Sequence, residues 1–361
     1  MIPPDTLSLE DYQRLFIERV DPAIAAYIDG FAADGITARA NAAAFARVSL
    51  VPRPLRSLKG ATTQLNLLGH TLLTPILIAP MAYHQLIHPE GEKATAKAAS
   101  LTGHLMSVST QSSVKLEDIA DEEQAHLWFQ LYPRRHLHES YDLIDRATRS
   151  GYRGIIVTVD APVSGVRNGE QRAGFRLPDG ISAVNLEGYG REEILAPRPG
   201  SPIFQGMLDH ALDWDMLKLL VEYSKLPLIV KGIIHADDAA HAVELGCAGI
   251  IVSNHGGRVL DTQPATLDLL PPIIRRVGDR VPVLLDGGIR RGTDIVKALA
   301  LGAKAVLIGR PVLHALAVGG VQGVIHMLTL LQTEFEMAMA LCGCARVEQI
   351  GSDLIWRGHN G

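Results

Sequence analysis

Ile250-Ile251-Val252-Ser253-Asn254-His255-Gly256-Gly257-Arg258-Val259-Leu260-Asp261 joins a short β-branched run to a polar, glycine-rich turn. The run suits a buried strand, and glycines beside a strand end let backbone approach a ligand closely. An imidazole three residues from a guanidinium pairs a proton acceptor with an anion clamp. Taken alone, the same residues also describe a loop with a solvated Arg and a hydrogen-bonded His. The other apolar runs decide between the two, because they end in the same manner.

Those runs are Ile76–Ala79, Leu105–Ser109, Leu127–Leu131, Gly154–Val159, Leu226–Lys231, Gly249–Ser253, Val281–Asp286 and Ala305–Gly309. Amphipathic stretches at Glu92–Leu101, Leu137–Arg149, Ala236–Leu245, Leu267–Val277 and Gly292–Leu301 alternate with them. Gly103, Gly151, Gly246 and Gly302 stand where helices stop. Near-continuous apolar strands separated by helices belong to a parallel sheet buried on both faces. Eight such units in roughly 230 residues predict an α/β fold, a (β/α)8 or TIM barrel, over a doubly wound sheet.

The expected organisation is one domain over residues 1–361. Residues 1–70 form a helical cap: a helical lead-in over 8–29 with Ser8 as its cap, a helix over Ala38–Val48, and a hairpin over Thr63–Leu73. The barrel spans 71–320, and a C-terminal helical closure follows over 321–361, with a long helix at Val321–Ala340. After the fourth strand comes an insertion at about 163–206, whose part Gly174–Gln205 is rich in Gly, Pro and Asn. At that place it reads as a lid over a ligand.

With 47% hydrophobic residues, 20% charged and a net charge of −5, the chain has ample core and no basic run, so neither a nucleic-acid nor a membrane-surface role is expected. Met1-Ile2-Pro3-Pro4-Asp5 lacks the basic start of a signal peptide, and Leu67–Met81 is broken by Gly69, His70 and Pro75. Cys247, Cys342 and Cys344 read as reduced thiols, and the expected location is cytoplasmic.

In a barrel the C-terminal ends of the strands share one face, where chemistry sits. Here they carry Pro80, Met81 and Ala82; Ser109; Gln130 and Tyr132; Thr158; Lys231; Ser253, His255 and Arg258; Asp286 and Arg290; and Gly309 and Arg310. Asp286-Gly287-Gly288-Ile289-Arg290-Arg291-Gly292 and Ile308-Gly309-Arg310-Pro311 each lead from a strand into a helix. Backbone N–H groups at such places, with Arg290 and Arg310, suit a phosphate. Lys231 is either a Schiff-base nucleophile or a fixed cation. Gln130, Thr158 and Ser253 offer the neutral polar edge that a flat heterocycle needs. Phosphate plus planar ring reads as flavin mononucleotide, FMN.

The stretch from Ser253 to Asp261 resembles the signature of FMN-dependent α-hydroxy acid oxidases and dehydrogenases, the family of glycolate, lactate and mandelate oxidases. So do Ile78-Ala79-Pro80, His88-Pro89-Glu90-Gly91-Glu92, Trp128-Phe129-Gln130-Leu131-Tyr132, Thr158-Val159-Asp160, Val230-Lys231-Gly232 and Leu285–Asp294. The resemblance implies oxidation of an L-2-hydroxy acid to the 2-oxo acid, with His255 as base. It implies Arg258 and Arg167 on the substrate carboxylate, Tyr132 on its polar end, Lys231 beside the flavin N1, and Ala82 near N5. It further implies reoxidation by O2 giving H2O2, with a quinone or protein acceptor as the alternative, and a homo-oligomer, tetramer or octamer.

Two positions depart from the small-substrate pattern. Ala26, in Ala26-Tyr27-Ile28-Asp29-Gly30, replaces a Tyr, leaving Tyr27 as packing; Gln111 replaces a bulky aromatic. Both changes imply a substrate bulkier than glycolate. The pairs His84/His88 and His136/His138 are expected to be surface or rim histidines and not metal ligands. Two rivals lack support from the His255, Tyr132 and arginine set: another kind of FMN barrel enzyme, and a silent flavin- or phosphate-binding scaffold.

Overall fold

The eight runs form eight parallel strands that close on themselves. The computed structural model describes residues 2–122, 124–190, 203–204, 208 and 211–356. A hairpin, β1 (Leu65–Leu67) and β2 (His70–Leu72), precedes the barrel strands β3 (Ile76–Ile78), β4 (Leu105–Ser109), β5 (His126–Leu131), β6 (Ile155–Thr158), β7 (Leu228–Ile233), β8 (Gly249–Val252), β9 (Val283–Asp286) and β10 (Ala305–Ile308). Each strand pairs in parallel with its sequence neighbours, and β10 returns to β3. This is the TIM barrel expected from the alternation.

The helices are α1 (Leu9–Arg19), α2 (Pro22–Ile28), α3 (Ile36–Arg47), α4 (Gly91–Thr102), α5 (Leu116–Ala120), α6 (Leu137–Arg149), α7 (Asn168–Arg172), α8 (Trp214–Tyr223), α9 (Ala236–Glu244), α10 (Thr266–Val277), α11 (Gly292–Ala300) and α12 (Arg310–Leu341). Ser8 caps α1 through the backbone N–H of Asp11, as its place in the sequence predicts. The lead-in is two helices, not one, because Asp21 caps a second helix that opens on Pro22. The closing helix begins earlier than expected, at Arg310, and Gly320 breaks it with a left-handed φ of 56°. The boundary expected at residue 320 is therefore a kink inside α12.

Strand side chains alternate between two cores. Leu77, Leu105, Trp128, Ile156, Ile229, Ile251, Leu284 and Leu307 cluster inside the barrel, together with Leu65, Leu67 and Leu72 of the hairpin. Their alternates, such as Ile78, Met106, Phe129, Val157 and Leu285, pack outward against the helices. Burial on both faces is why the strands lack a polar stripe. By length and composition α12 could cross a membrane. Here it packs on α1, α4 and α11, and its apolar residues belong to the outer core.

Part of the insertion after β6 lies among the described residues. Asn185 is buried, donating to Ser112 and accepting from the backbone N–H of Leu116, which pins that stretch to the β4 side of the rim. The rest of the expected lid, residues 191–202 and 205–206, falls outside the described residues.

Candidate active site

A cavity of about 820 Å³ opens at the C-terminal ends of the strands. Its wall carries Pro80, Met81, Ala82, Ser109, Gln130, Tyr132, Thr158, Arg167, Lys231, His255, Arg258, Asp286, Gly287, Gly288, Arg290, Gly309 and Arg310. Of the site residues expected from sequence only Ser253 lies behind the wall, fully buried. Its hydroxyl accepts from the Lys231 ammonium at 2.9 Å and from the His255 backbone N–H at 3.1 Å. Ser253 thus supports two of the groups that face the cavity.

His255, Gly256 and Gly257 are consecutive left-handed residues, at φ 56°, 63° and 76°. A Cβ on Gly257 would meet the Ala38 backbone nitrogen at 2.6 Å, so this turn needs glycine there. For His255 the conformation is strained, a cost of about 1–2 kcal/mol met by the surrounding contacts. The turn swings the imidazole and the Arg258 guanidinium to the same cavity.

The His255 Nδ1 lies 2.8 Å from Asp160 Oδ1. A carboxylate there accepts the Nδ1 proton and fixes the tautomer, leaving Nε2 as the acceptor that faces the Tyr132 hydroxyl at 3.4 Å. Burial alone would raise the Asp160 carboxyl, but the His255 bond and charge, with Lys231 beyond, hold it below its ordinary range. Asp160 is the functional residue that sequence reasoning left without a role. Its signal was a carboxylate two residues past a strand end. Gly232 makes room for it: a Cβ there would sit 2.6 Å from the Asp160 side chain.

Lys231 is held by Asp286 at 3.0 Å and by Ser253. Burial alone would strip its proton, but Asp286 and Asp160 reverse that and raise its pKa. Of the two roles open from sequence, this environment suits the fixed cation; a nucleophilic amine needs the opposite shift.

Arg258 donates from Nη1 to the carbonyls of Ile28 (2.9 Å) and Gly30 (2.7 Å), and from Nη2 to that of Tyr27 (2.9 Å). A guanidinium has five N–H donors. One on Nη2 and the Nε–H therefore have no acceptor among the described residues and suit an anion. Burial, then Arg310 and Arg167, push its pKa down to about 10. Arg310 is likewise pushed down to about 10 by burial and by Arg290, and donates to the Gly256 carbonyl at 2.8 Å. Neither Arg290 nor Arg310 has an ion-pair partner among the described residues. Two neighbouring, partly buried guanidiniums that make no direct ion pair with a described carboxylate suit a dianion, although Asp29, Asp286 and Asp294 bear on them from farther off. Opposite them Ser109, Gln130 and Thr158 form a buried chain, Oγ to Oε1 at 3.1 Å and Nε2 to Oγ1 at 3.0 Å. Phosphate clamp, neutral polar row and fixed lysine together fit FMN.

The residues matched by the family pattern of FMN-dependent dehydrogenases are 17–357. The chain belongs to that family. Within it, the chain is 44% identical to an L-lactate oxidase of Alicycliphilus denitrificans over 98% of this chain and 97% of the other. It is 42% identical to a peroxisomal (S)-2-hydroxy-acid oxidase of Oryza sativa subsp. japonica, over 95% and 94%. A mandelate oxidase structure with benzoyl-formic acid superposes with a TM-score of 0.88 at 38% identity, covering 95% and 96%. The chain is thus an enzyme of the FMN-dependent (S)-2-hydroxy acid oxidase family, and its cofactor is FMN.

This family member differs from its sequence-based description at two places. Tyr27 is more than packing: its ring lines the cavity, stacked on Phe175 at 4.4 Å with the Arg258 guanidinium 5.7 Å from its centre. His84 is buried, not at the surface, with Nδ1 on the Thr95 hydroxyl at 2.9 Å. His136 and His138 stack on each other at 5.8 Å, and no three His, Cys, Asp or Glu side chains converge among the described residues. Arg167 pairs with Glu170 at 2.9 Å, at the cavity wall.

Proposed function

We propose that this enzyme oxidises an L-2-hydroxy acid to the 2-oxo acid, with His255 as the base and Arg258 and Arg167 as the carboxylate clamp. The observation that carries the reading is the Asp160–His255 bond, which leaves Nε2 as the free ring nitrogen of a histidine lining the same cavity as Arg258. The acid loses two electrons and two hydrogens, one from the C2 carbon and one from its hydroxyl oxygen, beside the existing negative charge of the carboxylate. Two guanidiniums fix that charge; if His255 Nε2 takes the hydroxyl proton, the C2 hydrogen leaves with the electron pair as hydride, and if it takes the C2 proton, the electron pair leaves the carbon and the hydroxyl proton passes to solvent. Asp160 then stabilises the imidazolium, and Tyr132 holds the polar end of the substrate. FMN supplies the two-electron acceptor. Lys231, kept charged by Asp286, stabilises negative charge at the polar edge of the ring. Dioxygen takes the electrons onward to hydrogen peroxide, a reading supported by the oxidases among the relatives.

The substrate side chain is larger than the hydrogen of glycolate. Gln111 supports this, lining the cavity together with Leu186 and Leu212; Ala26 does not line it, and Tyr27, which does, returns some bulk. A panel of (S)- and (R)-acids, from glycolate through lactate to mandelate, mixed with the enzyme without oxygen, tests the proposal. Bleaching of the flavin by (S)-lactate or (S)-mandelate ahead of glycolate is expected. Bleaching by neither enantiomer of any acid would refute it.

A further inference from the structure

The carbonyls that hold Arg258 belong to the end of α2, Tyr27, Ile28 and Gly30, and the residue among them, Asp29, points elsewhere. Its Oδ1 lies 2.7 Å from Nε2 of His314, whose side chain is 1% exposed. Its Oδ2 accepts from Gln13 Nε2 of α1 at 3.3 Å. Phe16 of α1 lies against the His314 ring, with centres 4.6 Å apart. Phe16, Ile28 and Leu313 form a small apolar cluster of their own. His314 sits one turn after Arg310 in α12, and the Asp29 carboxylate bears electrostatically on Arg290 and Arg310.

We propose that Asp29 and His314 are a positioning pair. Their bond seats the α2 end on α12, and through the three carbonyls it sets the aim of Arg258. The apolar cluster alone leaves the α2 end free to slide or rotate, because dispersion contacts are non-directional. The polar bond, buried on the His314 side with Asp29 at 23% exposure, is directional and fixes one register. Arg258 inherits that register, since three of its five donors are committed to the α2 end. Carboxylate capture would thus depend on two residues that touch no substrate. This rests on the reading of Arg258 as the carboxylate clamp.

The test uses the FMN-loaded full chain with Asp29→Ala, His314→Phe, the double variant, and Asp29→Asn and His314→Gln, which keep a bond between the two positions. Oxalate, a carboxylate that cannot be oxidised in this way, is titrated by its perturbation of the flavin spectrum. Each disruptive single variant should weaken oxalate about tenfold, as loss of one partly buried, charge-assisted hydrogen bond predicts. KM for the oxidised acid should rise in parallel while kcat moves far less. The double variant should be no weaker than the weaker single, and the two conservative variants should hold most of the affinity. Unchanged oxalate affinity, or losses that multiply in the double, would overturn the pair. Should the wild-type enzyme bind no carboxylate, the clamp reading fails on its own account. Tryptic release of the arm at Arg19 then decides: faster cutting in Asp29→Ala and His314→Phe supports the seating, and equal cutting removes it.

Discussion

Asp160 and His255 lie at the ends of non-adjacent strands, β6 and β8, and the strand between them yields space so that they can meet. Gly232 on β7 has φ 106°, and the ladder between β7 and β8 shifts register between Lys231 and Ile233. That irregularity lets the Asp160 carboxylate reach Nδ1 of His255 at 2.8 Å. Asp160→Asn keeps an acceptor near Nδ1 but removes the charge that stabilises an imidazolium. Its kcat should fall by about 10²–10³ with KM little changed, the pattern of an interaction that strengthens only in the transition state. Stopped-flow flavin reduction gives the comparison, and a loss confined to KM would reject the assignment.

Lys231 and Asp286 are a buried pair, so losing one partner strands the other. Lys231→Met should destabilise the fold by about 3–5 kcal/mol, and Lys231→Met with Asp286→Leu should recover part of it. Urea unfolding measures both. Independent of stability, removing the cation should lower the reduction potential of the bound flavin. A potential equal to wild type would place the ammonium away from the ring.

Arg290 and Arg310 have no ion-pair partner among the described residues, and each is pushed down in pKa by burial. Arg310→Gln should weaken FMN about 10–100-fold, the scale of a charge-assisted bond to phosphate. Riboflavin, which lacks the phosphate, should bind wild type and variant alike. Equal losses for both flavins would mean that Arg310 shapes the ring site instead.

His104 carries a pH dependence away from the chemistry. It is buried at 2% exposure, with Nδ1 on the Thr102 hydroxyl at 2.9 Å and Nε2 without a partner among the described residues. Burial lowers its pKa from 6.5 to about 4. Between those values the unfolded chain binds a proton that the native state refuses. The stability present above the upper value is therefore lost as pH falls through the window, by about 2–3 kcal/mol. His104→Leu should flatten that part of the urea midpoint's fall between pH 7 and pH 4.5, and an unchanged slope would contradict it.

Much of this was readable from residue order because periodicity is local. Leu105–Ser109 and Leu137–Arg149 are a strand and a helix with the limits that their apolar patterns predict. All but one of the side chains named at the eight strand ends lie on the cavity wall, since a parallel barrel collects strand ends on one face. What escaped depends on contacts distant in sequence. Asp29 meets His314 across 285 positions, and the three carbonyls on Arg258 come from an arm more than 200 residues earlier. Tyr27 is the instructive case: alternation in a short helix could not tell a cavity-facing ring from a packed one. His84 looked exposed in a polar context and is buried, because its partner Thr95 lies one helix away.

The central claim is that Nε2 of His255 receives a proton from the acid as the flavin is reduced. Mixing His255→Asn with the most reactive acid without oxygen tests it most directly, with FMN content checked by absorbance first. The variant should stay yellow and still bind oxalate, its reduction slowed by about 10³-fold or more, within the usual range of about 10²–10⁴ for loss of a general base. Full reduction at the wild-type rate would mean that the proton goes elsewhere.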